Sequence, residues 1–105
     1  MKIYKEFTEG TLYDKLMQCF GEGYRPMTAD EFLEYQNEND VSSYVANASV
    51  NGKNIIIKTK EDVEALKISD GWLLWFGSLG NDNSFTIGYD NLDNSNGRLF
   101  GVKEE

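Results

Sequence analysis

Residues 27–38 read Met-Thr-Ala-Asp-Glu-Phe-Leu-Glu-Tyr-Gln-Asn-Glu, and they carry the clearest local folding signal of the chain. Thr28 and Glu31 are spaced as a capping box, in which each side chain accepts the backbone N–H of the other residue. A hydrophobic pair stands at the two positions of a staple around this cap: Met27 and Phe32. The pattern predicts a helix from about Ala29 to about Glu38.

One face of this predicted helix is acidic. At about 100° per residue, four carboxylates fall within roughly a quarter of the helix circumference, opposite the apolar residues. No lysine or arginine lies between Arg25 and Lys53, so carboxylates at the i, i+4 spacing repel one another by about 0.2–0.5 kcal/mol per pair. We call this set, with one residue beyond the helix, the acidic ridge: Asp30, Glu31, Glu34, Glu38 and Asp40. A merely solvated helix face is the alternative interpretation.

Upstream of this stretch, the pattern predicts a second helix and a short extended segment. Apolar residues at Leu12, Leu16 and Phe20 form a helical stripe, Thr11 with Asp14 resembles an N-terminal cap, and two glycines follow. Cys19 lies beside that stripe and is expected in or near the core. Residues 3–7 alternate in polarity over too short a span to distinguish a strand from a lead-in.

Downstream, strand and turn signals dominate. Asn51-Gly52 between alternating segments, Tyr44 to Val50 and Lys53 to Lys58, predicts a β-hairpin, because a two-residue turn of this type needs positive φ at both positions. Thr59 with Asp62 marks a third helix start. Three further strands are expected at the C-terminal end: Trp72 to Phe76, Phe85 to Tyr89, and Arg98 to Val102.

These elements predict one α+β domain covering residues 1–105. Hairpins and meanders make antiparallel sheets. We therefore expect an antiparallel sheet of about four to five strands, built from the hairpin and a C-terminal three-strand meander, and covered on one face by two or three helices.

Composition narrows the function classes. The chain has no histidine, a single cysteine, and 18 acidic against 10 basic residues, for a net charge of −8. Without histidine, the chain lacks the commonest general base and the commonest metal ligand. With one cysteine, it cannot form a disulfide within itself. The Asn- and Asp-rich loops around Asp82, Asp90 and Asp93 lack a calcium-loop pattern and are interpreted as turns. We expect a binding protein, not an enzyme, without metal or cofactor.

The charge also narrows the partners. A strongly acidic surface repels nucleic acid and anionic lipid, and it favours a basic protein partner through faster encounter. No apolar run reaches the length of a signal-peptide core or a membrane span, so we expect a cytoplasmic location, with the oligomeric state open.

The C-terminal third adds a resemblance. An apolar strand from Trp72, a Gly/Asn/Asp loop, an Ile-Gly-Tyr strand and a Gly-Arg-Leu-Phe-Gly-Val strand ending at Val102 resemble the end of small bacterial immunity proteins, over less than a third of the chain. The early hairpin and the acidic helix depart from that pattern. The resemblance implies neutralisation of a toxin.

Two hypotheses follow. Carboxylates about 5–6 Å apart along a helix roughly match the phosphate spacing of a nucleic-acid strand, so the acidic ridge could occupy a basic cleft. The first hypothesis is therefore an inhibitor of a nucleic-acid-handling protein, of the phage anti-CRISPR, anti-restriction or toxin-immunity type. The second is an accessory interaction module whose acidity serves solubility and which docks through an apolar patch, such as Tyr44, Val45 and Ile56.

Overall fold

In the part of the chain that the structure describes, strands and helices alternate as far as residue 77, and two further strands follow. A computed structural model describes residues 1–38, 44–45, 57–69, 72–77, 86–95 and 97–105. In chain order, the elements are β1 (Lys2–Phe7), α1 (Leu12–Gly21), β2 (Arg25–Pro26), α2 (Ala29–Glu38), β3 (Tyr44–Val45), α3 (Lys60–Ile68), β4 (Trp72–Gly77), β5 (Thr86–Asn91) and β6 (Leu99–Glu104).

Each helix begins at a threonine that caps it. Thr11 and Thr59 form reciprocal capping boxes with the acidic residue three positions later. At α2, the Glu31 N–H donates to Thr28 Oγ1 at 3.2 Å, and the Thr28 N–H donates to Glu31 Oε1 at 2.9 Å. These bonds satisfy backbone donors that a helix leaves unpaired at its start. The three predicted helix starts are therefore confirmed, and α2 has the predicted bounds.

The α+β class with antiparallel pairing is confirmed, but the strand arrangement differs from the prediction. Among the described residues there are two three-stranded sheets, ordered β1-β6-β2 and β3-β4-β5. β4 and β5 pair as expected, whereas β6 runs antiparallel to β1, with Lys2 opposite Glu104 and Phe7 opposite Leu99. The predicted C-terminal meander, and with it a sheet of four to five strands, is therefore wrong for this part of the chain.

The physical reason lies in the burial of β6. Leu99 belongs to a cluster with residues of α1 and α3, and the alternate residues Phe100 and Val102 pack with Phe32 of α2. A strand covered on both faces needs neighbours on both edges, and β1 and β2 supply them. Helices therefore cover both faces of this sheet, not one face as predicted.

The predicted hairpin lies mostly outside the described residues. Its first strand begins in the described β3, and residues 46–56 fall outside the description. Ile57 and Lys58, predicted to end its second strand, instead form the lead-in to α3, where the Lys58 N–H donates to Asp62 Oδ2 at 2.8 Å. Ile57 is buried in the core.

Candidate functional site: the acidic ridge of α2

Aromatic packing determines which way α2 faces. Phe32 is fully buried, and the ring of Tyr35 lies 5.4 Å from the ring of Tyr4 and 5.1 Å from the ring of Phe100, measured between centroids. These contacts press one side of the helix onto the β1-β6-β2 sheet. The opposite side is consequently turned outward.

Three carboxylates of the acidic ridge lie on that outward side. Asp30, Glu34 and Glu38 are exposed. They are one helical turn apart, so their backbone positions span about 12 Å along the helix axis. We refer to these three as the exposed ridge carboxylates. Asp40, the last residue of the predicted ridge, lies outside the described residues.

Glu31 is placed differently from the other ridge residues. Its carboxylate is only 4% exposed and accepts two hydrogen bonds from Arg25, at 2.7 and 2.8 Å. Lys2 forms a third charged contact, at 2.9 Å. The Arg25 guanidinium, against the opposing effect of burial, holds the pKa of Glu31 far below its usual range. Glu31 therefore anchors α2 to the sheet.

Arg25 is the centre of this network. Besides its bidentate pair with Glu31, it donates to Glu104 of β6 at 2.9 Å, and these carboxylates raise the pKa of the guanidinium above its ordinary value. Bidentate pairing is the strongest geometry for an arginine and a carboxylate. Arg25 stands only six residues before Glu31, so the sequence offered a signal for this pair. Nothing in the sequence indicated Lys2.

The negative charge at the C-terminal end of α2 interacts unfavourably with the helix dipole. The last turn contains no basic residue, and Glu38 lies at the end where the helix dipole is negative. A carboxylate there costs about 0.3–1 kcal/mol. Glu38 thus adds a charge that does not serve the stability of the helix, whereas Asp30 in the first turn interacts favourably with the dipole.

Cys19 is confirmed as a core residue. It is fully buried, and burial raises the pKa of its thiol to about 12. The thiol is therefore protonated at neutral pH, without the thiolate character of a nucleophile.

Of the remaining candidate positions, Asp93 lies in a turn as predicted, and Asp82 falls outside the described residues. The interpretation of Asp90 as a turn residue is wrong, because it lies in β5 and pairs with Leu73 of β4. The Asp93 N–H donates to Asn91 Oδ1 at 3.0 Å, which closes a local turn of the predicted kind. Within the described ranges, no group of three or more Cys, Asp or Glu side chains could hold a metal ion. Ile56, and the side chains of Tyr44 and Val45, are not described. In the described part of the chain, the exposed large apolar side chains are Met1 and Ile68.

Comparison of the chain with protein-family models, curated proteins and solved structures found no match. Among the described residues, no helix has the length and apolar character needed to cross a membrane.

Proposed function

We propose that this chain inhibits or sequesters a nucleic-acid-handling protein by occupying its basic cleft with Asp30, Glu34 and Glu38. The observation that carries the proposal is the line of three exposed carboxylates on a helix whose other side is anchored to the sheet. A helix held in this way presents its charges on a backbone that is already ordered, so binding costs only the ordering of the side chains.

The charge of the whole molecule supports the same conclusion. A net charge of −8 steers the chain toward a basic surface and away from nucleic acid itself. The proposal covers phage or other mobile-element inhibitors of the anti-CRISPR or anti-restriction type, and toxin-immunity proteins. It places the chain in the cytoplasm, as a non-catalytic binder.

The contact set is smaller than the ridge that the sequence indicates. Glu31 is paired by Arg25 and Lys2, so its carboxylate is not offered to a partner. The three exposed ridge carboxylates remain, with Asp40 as a candidate extension beyond the helix.

The first experiment identifies the partner and tests the contact. A tagged chain is used to capture proteins from the native host lysate at low salt, with and without nuclease. We expect recovery of a basic nucleic-acid-binding protein that added DNA or RNA displaces. The affinity of that protein is then measured for wild type and for the triple variant Asp30→Lys, Glu34→Lys and Glu38→Lys.

A second triple variant provides a control matched in charge: Glu9→Lys, Glu61→Lys and Glu105→Lys, at exposed positions outside α2. We expect the ridge variant to weaken binding by about a hundredfold or more and the control far less, because close charge pairs dominate such interfaces. Equal losses would assign binding to net charge alone. Unchanged affinity of the ridge variant would rule out the ridge as the contact.

Salt dependence distinguishes the accessory-module alternative. Contacts between exposed charges weaken as the screening length falls from about 10 Å at 0.1 M to about 3 Å at 1 M salt. Ridge binding should therefore weaken steeply with salt, whereas a complex held through high salt would indicate apolar docking.

A further inference from the structure

A groove of about 430 Å³ lies between the end of α1, β2 and β6. Its size is within the range of sites for small ligands. Its apolar lining comes from Phe20, Tyr24 and Val102, and its charged lining comes from Arg25, Lys58, Lys103 and Glu104. Three cations and one carboxylate give the groove a local charge opposite to that of the whole chain.

Two of these cations have no ion-pair partner within the described residues: Lys58 and Lys103. Carboxylates do lie near them: Asp62 interacts electrostatically with Lys58, and Glu22 interacts with Lys103. The direct ion pairs on this side join other cations, Glu104 with Arg25 at 2.9 Å and Glu22 with Lys5 at 2.5 Å. The Lys103 ammonium lies 5.3 Å from the centroid of the Tyr24 ring, directly over the aromatic lining. Neither ammonium group is held in a direct ion pair with a described residue, so both can turn toward an anion in the groove.

The aromatic lining is held in a defined position. The Tyr24 ring packs edge-on against Phe7, with centroids 5.5 Å apart and planes at 74°. The Tyr24 hydroxyl makes no hydrogen bond to the described residues, so it can donate to a ligand. Phe20 is half-buried, with part of its ring facing the groove.

We propose that this groove binds a small aromatic anion: a flat unsaturated ring carrying a carboxylate, sulfonate or phosphate. Lys58 and Lys103 hold the anionic group, and Phe20 and Tyr24 contact the ring. The combination of unpaired ammonium groups with aromatic side chains in one groove supports this class over a simple inorganic anion. The site is separate from the exposed ridge carboxylates and does not depend on the proposed function.

The test is an NMR titration of the full chain with 1-naphthalenesulfonate. Two comparison probes each lack one feature: neutral 1-naphthalenesulfonamide lacks the charge, and inorganic phosphate lacks the ring. We expect saturable shifts centred on the backbone amides of Tyr24 and Lys103, and binding about fivefold or more tighter than either comparison probe. Equal affinity for a comparison probe, or shifts centred elsewhere, would overturn the proposal.

Variants locate the site. The double variant Lys58→Gln with Lys103→Gln should weaken naphthalenesulfonate binding by about tenfold, since both ammonium groups are lost. Lys67→Gln, near the opposite end of α3 from Lys58, is the control and should leave the affinity unchanged. Thermal unfolding of each variant shows that the fold is retained. An unchanged affinity in the double variant, or an equal loss in the control, would contradict the assignment.

Discussion

Glu31 and Glu34 lie on the same quarter of the α2 circumference, yet one carboxylate is buried and the other is exposed. The difference is made by cations on neighbouring strands, Lys2 of β1 and Arg25 of β2. Burying an unpaired carboxylate is prohibitively costly, and pairing with cations offsets a large part of that cost. A residue's role on a helix therefore depends on the charges that other elements bring to it.

Replacing Glu31 tests this anchor. Glu31→Gln should lower the free energy of unfolding by about 2–3 kcal/mol at pH 7, because Arg25 and Lys2 lose their buried partner. Urea unfolding gives the value. Glu34→Gln, at an exposed position, is the control and should change the free energy little. A loss in the control as large as in Glu31→Gln would contradict the assigned role.

The same residue predicts a pH dependence. The pKa of Glu31 is lower in the folded chain than its ordinary value of 4.5, so the ion pair contributes stability above that value. The contribution is lost as pH falls through and below 4.5, toward the depressed folded pKa. Unfolding free energies measured from pH 7 to pH 3 should fall more steeply for wild type than for Glu31→Gln. Parallel curves would show that another group is responsible.

The reactivity of the Cys19 thiol measures how often the core around it opens. A buried thiol with a pKa of about 12 reacts only when the surrounding structure opens. Labelling by a disulfide reagent at pH 8 should be about a thousandfold or more slower in the native chain than in denaturant. Comparable rates would indicate that the core around α1 is open.

At the scale of elements, the three helices have the same kind of N-terminal cap but differ in the charge of their last turns. Each has a threonine cap with an acidic partner, but α2 carries carboxylates through to its last turn, where α3 carries Lys67. Interaction with the helix dipole favours the arrangement in α3. The charge at the end of α2 is therefore less favourable for helix stability than the charge at the end of α3.

Glu38→Lys separates stability from binding. The substitution should raise the free energy of unfolding by about 0.3–1 kcal/mol, because it places a cation at the negative end of the helix. The same variant should bind the proposed basic partner more weakly. Glu9→Lys makes the same change in net charge outside a helix and is the control. Reduced stability of Glu38→Lys would contradict the argument from the dipole.

The contact of β6 with α1 depends on Gly101. A Cβ there would lie 2.7 Å from Cε2 of Phe7 and 3.0 Å from Sγ of Cys19. Gly101→Ala should therefore destabilise the fold by about 1–3 kcal/mol through overpacking. Gly21→Ala, at the open end of α1, should instead be neutral or stabilising by about 0.5 kcal/mol. Thermal unfolding of both variants checks the contrast, and equal effects would contradict it.

At the scale of the whole molecule, charge and topology act together. The excess of acidic residues repels itself throughout the folded chain, while the ion pairs around Arg25 are partly shielded from solvent. Screening therefore relieves the repulsion more than it weakens this anchor. The net negative charge that favours a basic partner thus lowers the stability of the fold moderately.

Raising NaCl from about 10 mM to about 300 mM should increase the free energy of unfolding, because the screening length falls below the spacing of distant surface charges. The increase should be smaller in the triple lysine variant of Asp30, Glu34 and Glu38. Urea unfolding at the two salt concentrations measures both. A decrease in wild type would show that ion pairs outweigh repulsion. If the fold is more stable at high salt, a loss of partner binding at high salt cannot be caused by unfolding of the chain.

Local rules were sufficient for the helices and for the exposed charges. Capping boxes join residues three positions apart, so the sequence alone predicts the three helix starts and the full extent of α2. The same periodicity placed Asp30, Glu34 and Glu38 opposite the apolar side, where the structure has them exposed.

Long-range packing was needed for the rest. The preference for pairing neighbouring strands predicted a meander, but burial of both faces of β6 directs it to β1 and β2. That pairing brings Lys2 toward Glu31, and the fold around it gathers Lys58 and Lys103 at one groove. Such contacts join residues from 29 to more than 40 positions apart in sequence, and their energies depend on burial, which no local pattern encodes.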